Sequence, residues 1–236
     1  MRNQDRPLYA VLIDADNIPA KFAEAILKEI TALGEPALRR VYGDWSSGRL
    51  KAWTAKVRDL GLVAHQESAN TVGKNASDIG LVIDAMDILH TGRFDGFVLV
   101  SSDSDFTALA NRIRENGLDV IGIGESKAPE ALRNVCNRFV LIENIVEDAP
   151  AQGQGTQRAA KGDPKLAAPL LRQAMDRMAQ DDDWYALGPL GQHLTALAAD
   201  FDTRTYGFRK LSDLVDAIPG FETRRSGNQL QLRRLD

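Results

Sequence analysis

Two short acidic turns hold the residues of this chain best suited to chemistry. Leu12-Ile13-Asp14-Ala15-Asp16-Asn17 ends the apolar run Tyr9–Ile13, and Val100-Ser101-Ser102-Asp103-Ser104-Asp105 ends the run Phe97–Val100. A short apolar run bounded by polar residues reads as a fully buried strand. Acids placed directly after it lie at the strand's C-terminal tip. In an open parallel α/β sheet that edge binds ligands, at the point where strand order reverses. If the two strands are neighbours, four carboxylates share one small volume, and a cation relieves their repulsion. A fifth acid, Asp78, follows Val72-Gly73-Lys74-Asn75-Ala76-Ser77 and opens a helical pattern. Ile79, Val82, Ile83 and Met86 recur at helical spacing and predict the buried face. Asp78 is then expected beside that stripe, in a first turn that favours a carboxylate.

Hard oxygen ligands select Mg²⁺ or Mn²⁺. A cation held this way lowers the pKa of a bound water, orients it and neutralises a leaving oxygen, which is the chemistry of phosphodiester hydrolysis. The candidate ligands are Asp14, Asp16, Asp78, Asp103 and Asp105. Asn17 and Ser102 offer neutral groups to position water or phosphate, and Lys74 is the nearest cationic partner for a phosphate. A plainer role competes, because acids after strands also cap helices: Asp105 or Ser104 is placed to cap one beginning at Phe106, and Asp103 and Asp105 could do that alone. Asp84, Asp87 and Asp95 read as solvated helix face or turn.

Apolar strands and amphipathic helices alternate from Leu8 to about Ile145. Strands are predicted at Leu8–Ile13, Leu38–Tyr42, Leu62–His65, Gly96–Ser101, Val120–Gly124 and Phe139–Leu141. Helices are predicted at Pro19–Leu33, Gly48–Leu60, Ala76–His90, Asp105–Asn116 and Pro129–Asn137. Gly34, Gly61 and Gly117 each follow a helical run, where tolerance of positive φ is wanted. Repeated strand–helix–strand units imply a parallel sheet covered on both faces.

The pattern breaks at residues 148–163, whose Pro, Gly and Gln content reads as a flexible linker. Beyond it, Leu166–Met178, Tyr185–Asp200 and Phe208–Ile218 read as helices. Phe221–Arg225 and Gln229–Arg233 flank a hairpin turn at Ser226-Gly227-Asn228. Three helices and a hairpin outline a winged helix. Domain boundaries follow at 1–147, 148–163 and 164–236.

The 236 residues suffice for one sizeable α/β domain and a small second one, and the 44% hydrophobic and 26% charged shares are ordinary. A formal net charge of -4 carries no global sign of a nucleic-acid binder but leaves room for a local basic face. A single cysteine, Cys136, excludes an intrachain disulfide and a Cys-cluster zinc site, and suits a reducing cytoplasm. No segment reads as a signal peptide or a membrane span.

The ordered set Ile13-Asp14-Ala15-Asp16-Asn17, Tyr42-Gly43-Asp44-Trp45, Lys74-Asn75-Ala76-Ser77-Asp78-Ile79, Ser101-Ser102-Asp103-Ser104-Asp105-Phe106 and Gly117–Gly124 resembles the NYN domains, a branch of the PIN-like ribonucleases. The resemblance spans roughly Leu8 to Glu147. It implies a PIN-like three-layer α/β/α fold with a parallel sheet and metal-dependent RNA cleavage. Its acidic positions fall on Asp14, Asp78, Asp103 and Asp105, with the amide at Asn17, while Asp16 matches a variable position. The segment from Asp183-Trp184 through Tyr206-Gly207-Phe208 and Lys210–Leu214 resembles the LOTUS (OST-HTH) domain, a winged-helix-like α+β module that binds RNA or protein. Arg204, Arg209, Lys210, Arg224 and Arg225 are its candidate phosphate contacts, while Trp184, Tyr206, Phe208, Leu211 and Leu214 read as core. The implied partners are RNA, a protein for the C-terminal unit, or a second copy in a homodimer.

Three functions fit these features. One is a metal-dependent ribonuclease with an RNA-binding appendage. A second is a non-catalytic RNA-binding or regulatory adaptor. The third, suggested by Asp14-Ala15-Asp16, is a haloacid-dehalogenase-type phosphatase with Asp14 as phosphoryl acceptor. The spacing of Asp103-Ser104-Asp105 and the lack of a cap-sized insertion count against the third.

Overall fold

The computed structural model describes residues 6–46, 48–66, 76–147, 162–178 and 182–235. The chain divides into two compact units, Met1–Gln152 and Gly153–Asp236. In the first unit, strands β1 (Leu8–Asp14), β2 (Glu35–Gly43), β3 (Val63–Gln66), β4 (Gly96–Val100), β5 (Asp119–Gly124) and β6 (Arg138–Leu141) form one sheet. Its order is β3-β2-β1-β4-β5-β6, and all five pairings are parallel. The order reverses between β1 and β4, so the chain's two acidic turns lie side by side.

Alternation along β1 builds two cores. Tyr9, Val11 and Ile13 pack with Ile26 and Ile30 of α1 (Ala23–Leu33), Trp53 of α2 (Lys51–Asp59), and Ile142 and Ile145 of a further helix. Ala10 and Leu12 face Leu81, Ala85, Ile88 and Leu89 of α3 (Ala76–His90), Leu109 and Ile113 of α4 (Thr107–Glu115), and Leu132 of α5 (Glu130–Val135). Every residue of β4 is buried, as expected of a central strand covered on both faces. The result is a three-layer α/β/α architecture. That further helix, α6 (Ile142–Glu147), continues directly from β6 and was not predicted.

Three local expectations are corrected. Gly34 has φ −175°, ordinary extended backbone. A Cβ there would lie 2.4 Å from the Tyr9 ring and 2.6 Å from the Pro7 carbonyl oxygen, so close approach explains the glycine. Gly61 and Gly117, at φ 62° and 79°, do need the left-handed region. On α3, Ile79 and Ile83 are 61% and 59% exposed, and the buried stripe is Leu81, Ala85, Ile88 and Leu89. Asp84 explains the rotation. It accepts hydrogen bonds from Arg40 and Tyr42 of β2, which turns that flank of the helix to the sheet. Asp84 is therefore a structural anchor, not a solvated residue. Asp95 also has a structural role, with Oδ2 accepting from the Leu8 N–H at 2.7 Å.

In the second unit, α7 (Ala168–Arg177), α8 (Leu187–Leu197) and α9 (Leu211–Asp216) pack against strands β7 (Tyr185–Ala186), β8 (Phe221–Ser226) and β9 (Gln229–Arg234). The sheet is antiparallel in the order β7-β9-β8. Leu171, Met175, Leu190, Leu194, Leu214 and Leu232 form its core. Tyr185 and Ala186, expected to start a helix, are strand instead because they pair with Leu232 and Gln231. The hairpin turn falls where predicted, with Gly227 at φ 59°. Most of the predicted linker, 148–161, lies outside the described residues.

Candidate metal centre

The β1 and β4 tips are stitched together by their own polar side chains. Ser101 Oγ donates to Asp14 Oδ2 at 2.9 Å, and the Asn17 N–H donates to Asp14 Oδ1 at 3.1 Å. Asn17 Oδ1 accepts from the Ser102 N–H at 3.0 Å, and Ser101 Oγ accepts from the Asp103 N–H at 3.1 Å. The Glu125 N–H after β5 donates to Ser102 Oγ at 2.9 Å. Three neighbouring strand tips thus form one hydrogen-bonded floor.

Above this floor, carboxylate oxygens of Asp78, Asp103 and Asp105 all lie within 4.8 Å of one another. Asp78 reaches them because it lies three residues ahead of buried Leu81, on the same face of α3. Asp103 also serves as a cap, its Oδ1 accepting from the Asp105 N–H at 3.0 Å. Of the residues expected to cap, Asp103 is the one that does, and the capping and clustering roles coexist.

Asp14 lies at the bottom, 3% exposed. Burial, then the charges of Asp78 and Asp16, push its carboxyl up to about 6 against the hydrogen bonds it accepts. Asp78 is also raised, by burial and then by Asp103, Asp105 and Asp16. Asp16 lies at the rim: its Oδ2 accepts from the Asp44 N–H at 3.4 Å, and its Oδ1 is 4.0 Å from Arg49. The structure thus brings Asp78, Asp103 and Asp105 together, places Asp14 and Asn17 beneath them, and sets Asp16 beside them. Ser102 is buried, with its hydroxyl turned to Glu125. Lys74 lies outside the described residues. Among the described residues only these three acids form such a group, and the donor set fits a hard divalent cation, which would offset the raised energy of the crowded carboxylates.

A family model for the NYN domain matches residues 9–143. The chain belongs to the NYN family. NYN domains fall within the PIN-like nuclease superfamily, so the acidic edge lies in a nuclease-type domain. A second family model, for the OST-HTH/LOTUS domain, matches residues 164–232. No curated protein matches the chain. A protein of unknown function from Vibrio parahaemolyticus is similar at 22% identity and TM-score 0.51, covering 60% of this chain and 96% of that one. That likeness shows the fold of the NYN unit. An uncharacterised protein from Nitrosomonas europaea shares 30% identity, with TM-score 0.29, over 37% of this chain and 90% of that one.

In the LOTUS unit, the predicted phosphate contacts differ from one another. Arg204 grips Asp202, with Nη2 2.7 Å from Oδ2 and Nε 3.0 Å from both oxygens. Arg209, Lys210 and Arg225 are exposed. Arg224 lies over the Trp184 ring. Trp184, expected in the core, is only partly buried and lies apart from it. Sequence reasoning missed Arg233, the second guanidinium over that ring, because it read the strand only as half of a hairpin. No described helix is long and apolar enough to cross a membrane.

Proposed function

We propose that this NYN protein is a metal-dependent ribonuclease, with Asp78, Asp103 and Asp105 holding Mg²⁺ or Mn²⁺ and the LOTUS unit contacting RNA. The observation that carries this reading is the convergence of three carboxylates over a buried fourth at the β1/β4 switch point. The chemistry supplied by a divalent cation there is a water of lowered pKa and charge neutralisation at the phosphate and leaving oxygen. Asp14 orients the Ser101 hydroxyl, which in turn fixes the Asp103 backbone. Asn17 pins the Ser102 amide, so the two tips keep their spacing. Asp16 adds negative charge at the rim. We place these roles in residues 1–147 and RNA contact in 164–236.

The phosphatase alternative needs an accessible nucleophile at Asp14, whose oxygens are both taken by donors and which is nearly fully buried. Incubation with labelled RNA and with p-nitrophenyl phosphate, in Mn²⁺ or EDTA, tests the reading. Mn²⁺-dependent cleavage of RNA alone is expected. Turnover of the phosphate ester without RNA cleavage, or of neither substrate, would overturn it.

A further inference from the structure

Trp184 is flanked by charge. The guanidinium carbons of Arg224 and Arg233 lie 4.0 Å and 4.8 Å from its ring centroid. Tyr185, the next residue, packs on the apolar core and pairs with Leu232, which is fully buried. Side chains alternate across a strand, so Arg233, opposite Glu222, and Arg224, opposite Gln231, belong to the other face of the sheet. There Glu222 Oε2 accepts from Arg233 Nε at 2.7 Å, and Gln231 Oε1 accepts from Arg224 Nε at 2.9 Å. Each arginine is thus held by its Nε and by the indole. Phe221–Arg234 contains Arg224, Arg225, Arg233 and Arg234 against Glu222 as its one acid, in a chain of formal net charge -4.

This arrangement presents two planar guanidiniums whose side-chain entropy is already largely spent. A fixed fork of donors matches a phosphate's oxygens, and an arginine–indole stack offers a flat π surface to a nucleobase. Bases in a duplex have their faces stacked and hidden, whereas a single strand can splay them outward. We infer that the outer face of this sheet, centred on Trp184, Arg224 and Arg233, binds single-stranded RNA, with phosphate on the arginines and an unpaired base on the arginine–indole stack. The inference rests on the RNA-contact reading of the LOTUS unit and names its site and strand preference. Arg204, held by Asp202 through both Nε and Nη2, is not part of it, whereas Glu222 engages Arg233 at Nε.

The test is fluorescence anisotropy of the full chain in EDTA, which prevents metal-dependent cleavage. The probes are a fluorescein-labelled single-stranded oligoribonucleotide and its duplex, each titrated across a NaCl series. Trp184→Leu should weaken single-strand binding roughly tenfold. The double variant Arg224→Gln/Arg233→Gln should reduce the slope of log affinity against log salt by about 0.7 for each phosphate no longer neutralised. Both variants should affect the duplex less. If Trp184→Leu melts early, the arginine variant decides, since its side chains lie outside the core. Unchanged affinity and slope for the single strand would overturn the site, as expected of a unit that docks a protein. Equal losses for duplex and single strand would overturn the base contact. Neither result touches the ribonuclease reading, which is tested separately by Mn²⁺-dependent cleavage.

Discussion

Helix α3 carries two carboxylates with opposite surroundings. Asp84 sits among donors: Arg40 and Tyr42 bond to it, and His65 Nδ1 lies 3.9 Å away. Burial and Asp84 raise the Tyr42 phenol, which stays a donor to the carboxylate. Asp78, six residues earlier, sits among acids, and its carboxyl is raised by burial and by its acidic neighbours. One acid gains local compensation and fixes the helix. The other gathers charge that the chain keeps at an energetic cost. Compensated carboxylates hold a fold together, and crowded ones mark where a cation and a phosphate are expected.

The largest effect expected from this contrast is on catalysis. Asp78→Asn and Asp103→Asn should lower RNA cleavage by orders of magnitude, because each removes a proposed metal ligand. Asp84→Asn, which keeps an oxygen to accept from Arg40 or Tyr42, should lower cleavage per folded molecule far less. Single-turnover cleavage in Mn²⁺ measures both, and similar losses from Asp84→Asn and Asp78→Asn would erase the distinction.

Next in size is the pH dependence of stability in EDTA. Asp14's folded-state value of about 6 lies above that of an unfolded aspartate, so the native state holds the proton more tightly. The stabilisation is complete below about pH 4 and is lost as pH rises through about 6, a change of up to about 3 kcal/mol. Urea unfolding across that window should show the decline, and Asp14→Asn should flatten it. A wild-type stability that rises over the same window would mean that donor bonds outweigh burial at Asp14.

Adding Mn²⁺ should oppose that decline. At a hundredfold excess over Kd, the native state gains about 2.7 kcal/mol, and the melting temperature rises accordingly. Asp103→Asn should lose most of the rise, and Asp84→Asn should keep it. A wild-type melting temperature blind to both Mn²⁺ and Mg²⁺ would argue against a preformed site. The smallest effect is structural. Asp84→Asn should cost about 2 kcal/mol, since it weakens charge-assisted bonds to a part-buried arginine. Chemical denaturation in EDTA measures it, and an unchanged midpoint would show that the Asp84 network contributes nothing to holding α3.

The elements that place the acidic edge were legible because their signals are local. Continuous apolar runs give buried strands, and acids directly after them must lie at strand tips, whichever strands pair. The limits of α3, Ala76–His90, could be read from its apolar pattern, but its rotation could not. Ile79, Val82, Ile83 and Met86 form a valid helical stripe, and so do Leu81, Ala85 and Ile88. The bonds from Arg40 and Tyr42 to Asp84 select between them, and those partners are more than forty residues away in sequence.

In the LOTUS unit the basic residues were visible as a set, but their roles were not. Arg204 and Arg224 look alike as letters. One closes on Asp202, two residues away, and the other lies over the indole of Trp184, forty residues away in sequence and just ahead of β7. The sequence by itself therefore determined the strand–helix alternation, the acids at the strand tips and the hairpin. Tertiary structure decided that β1 and β4 are neighbours, which face of α3 is buried, that Asp14 lies beneath the other carboxylates, and which arginines meet Trp184. Periodicity and turn chemistry act within a few residues of each other, whereas convergence of side chains depends on strand order and helix rotation set by residues distant in sequence.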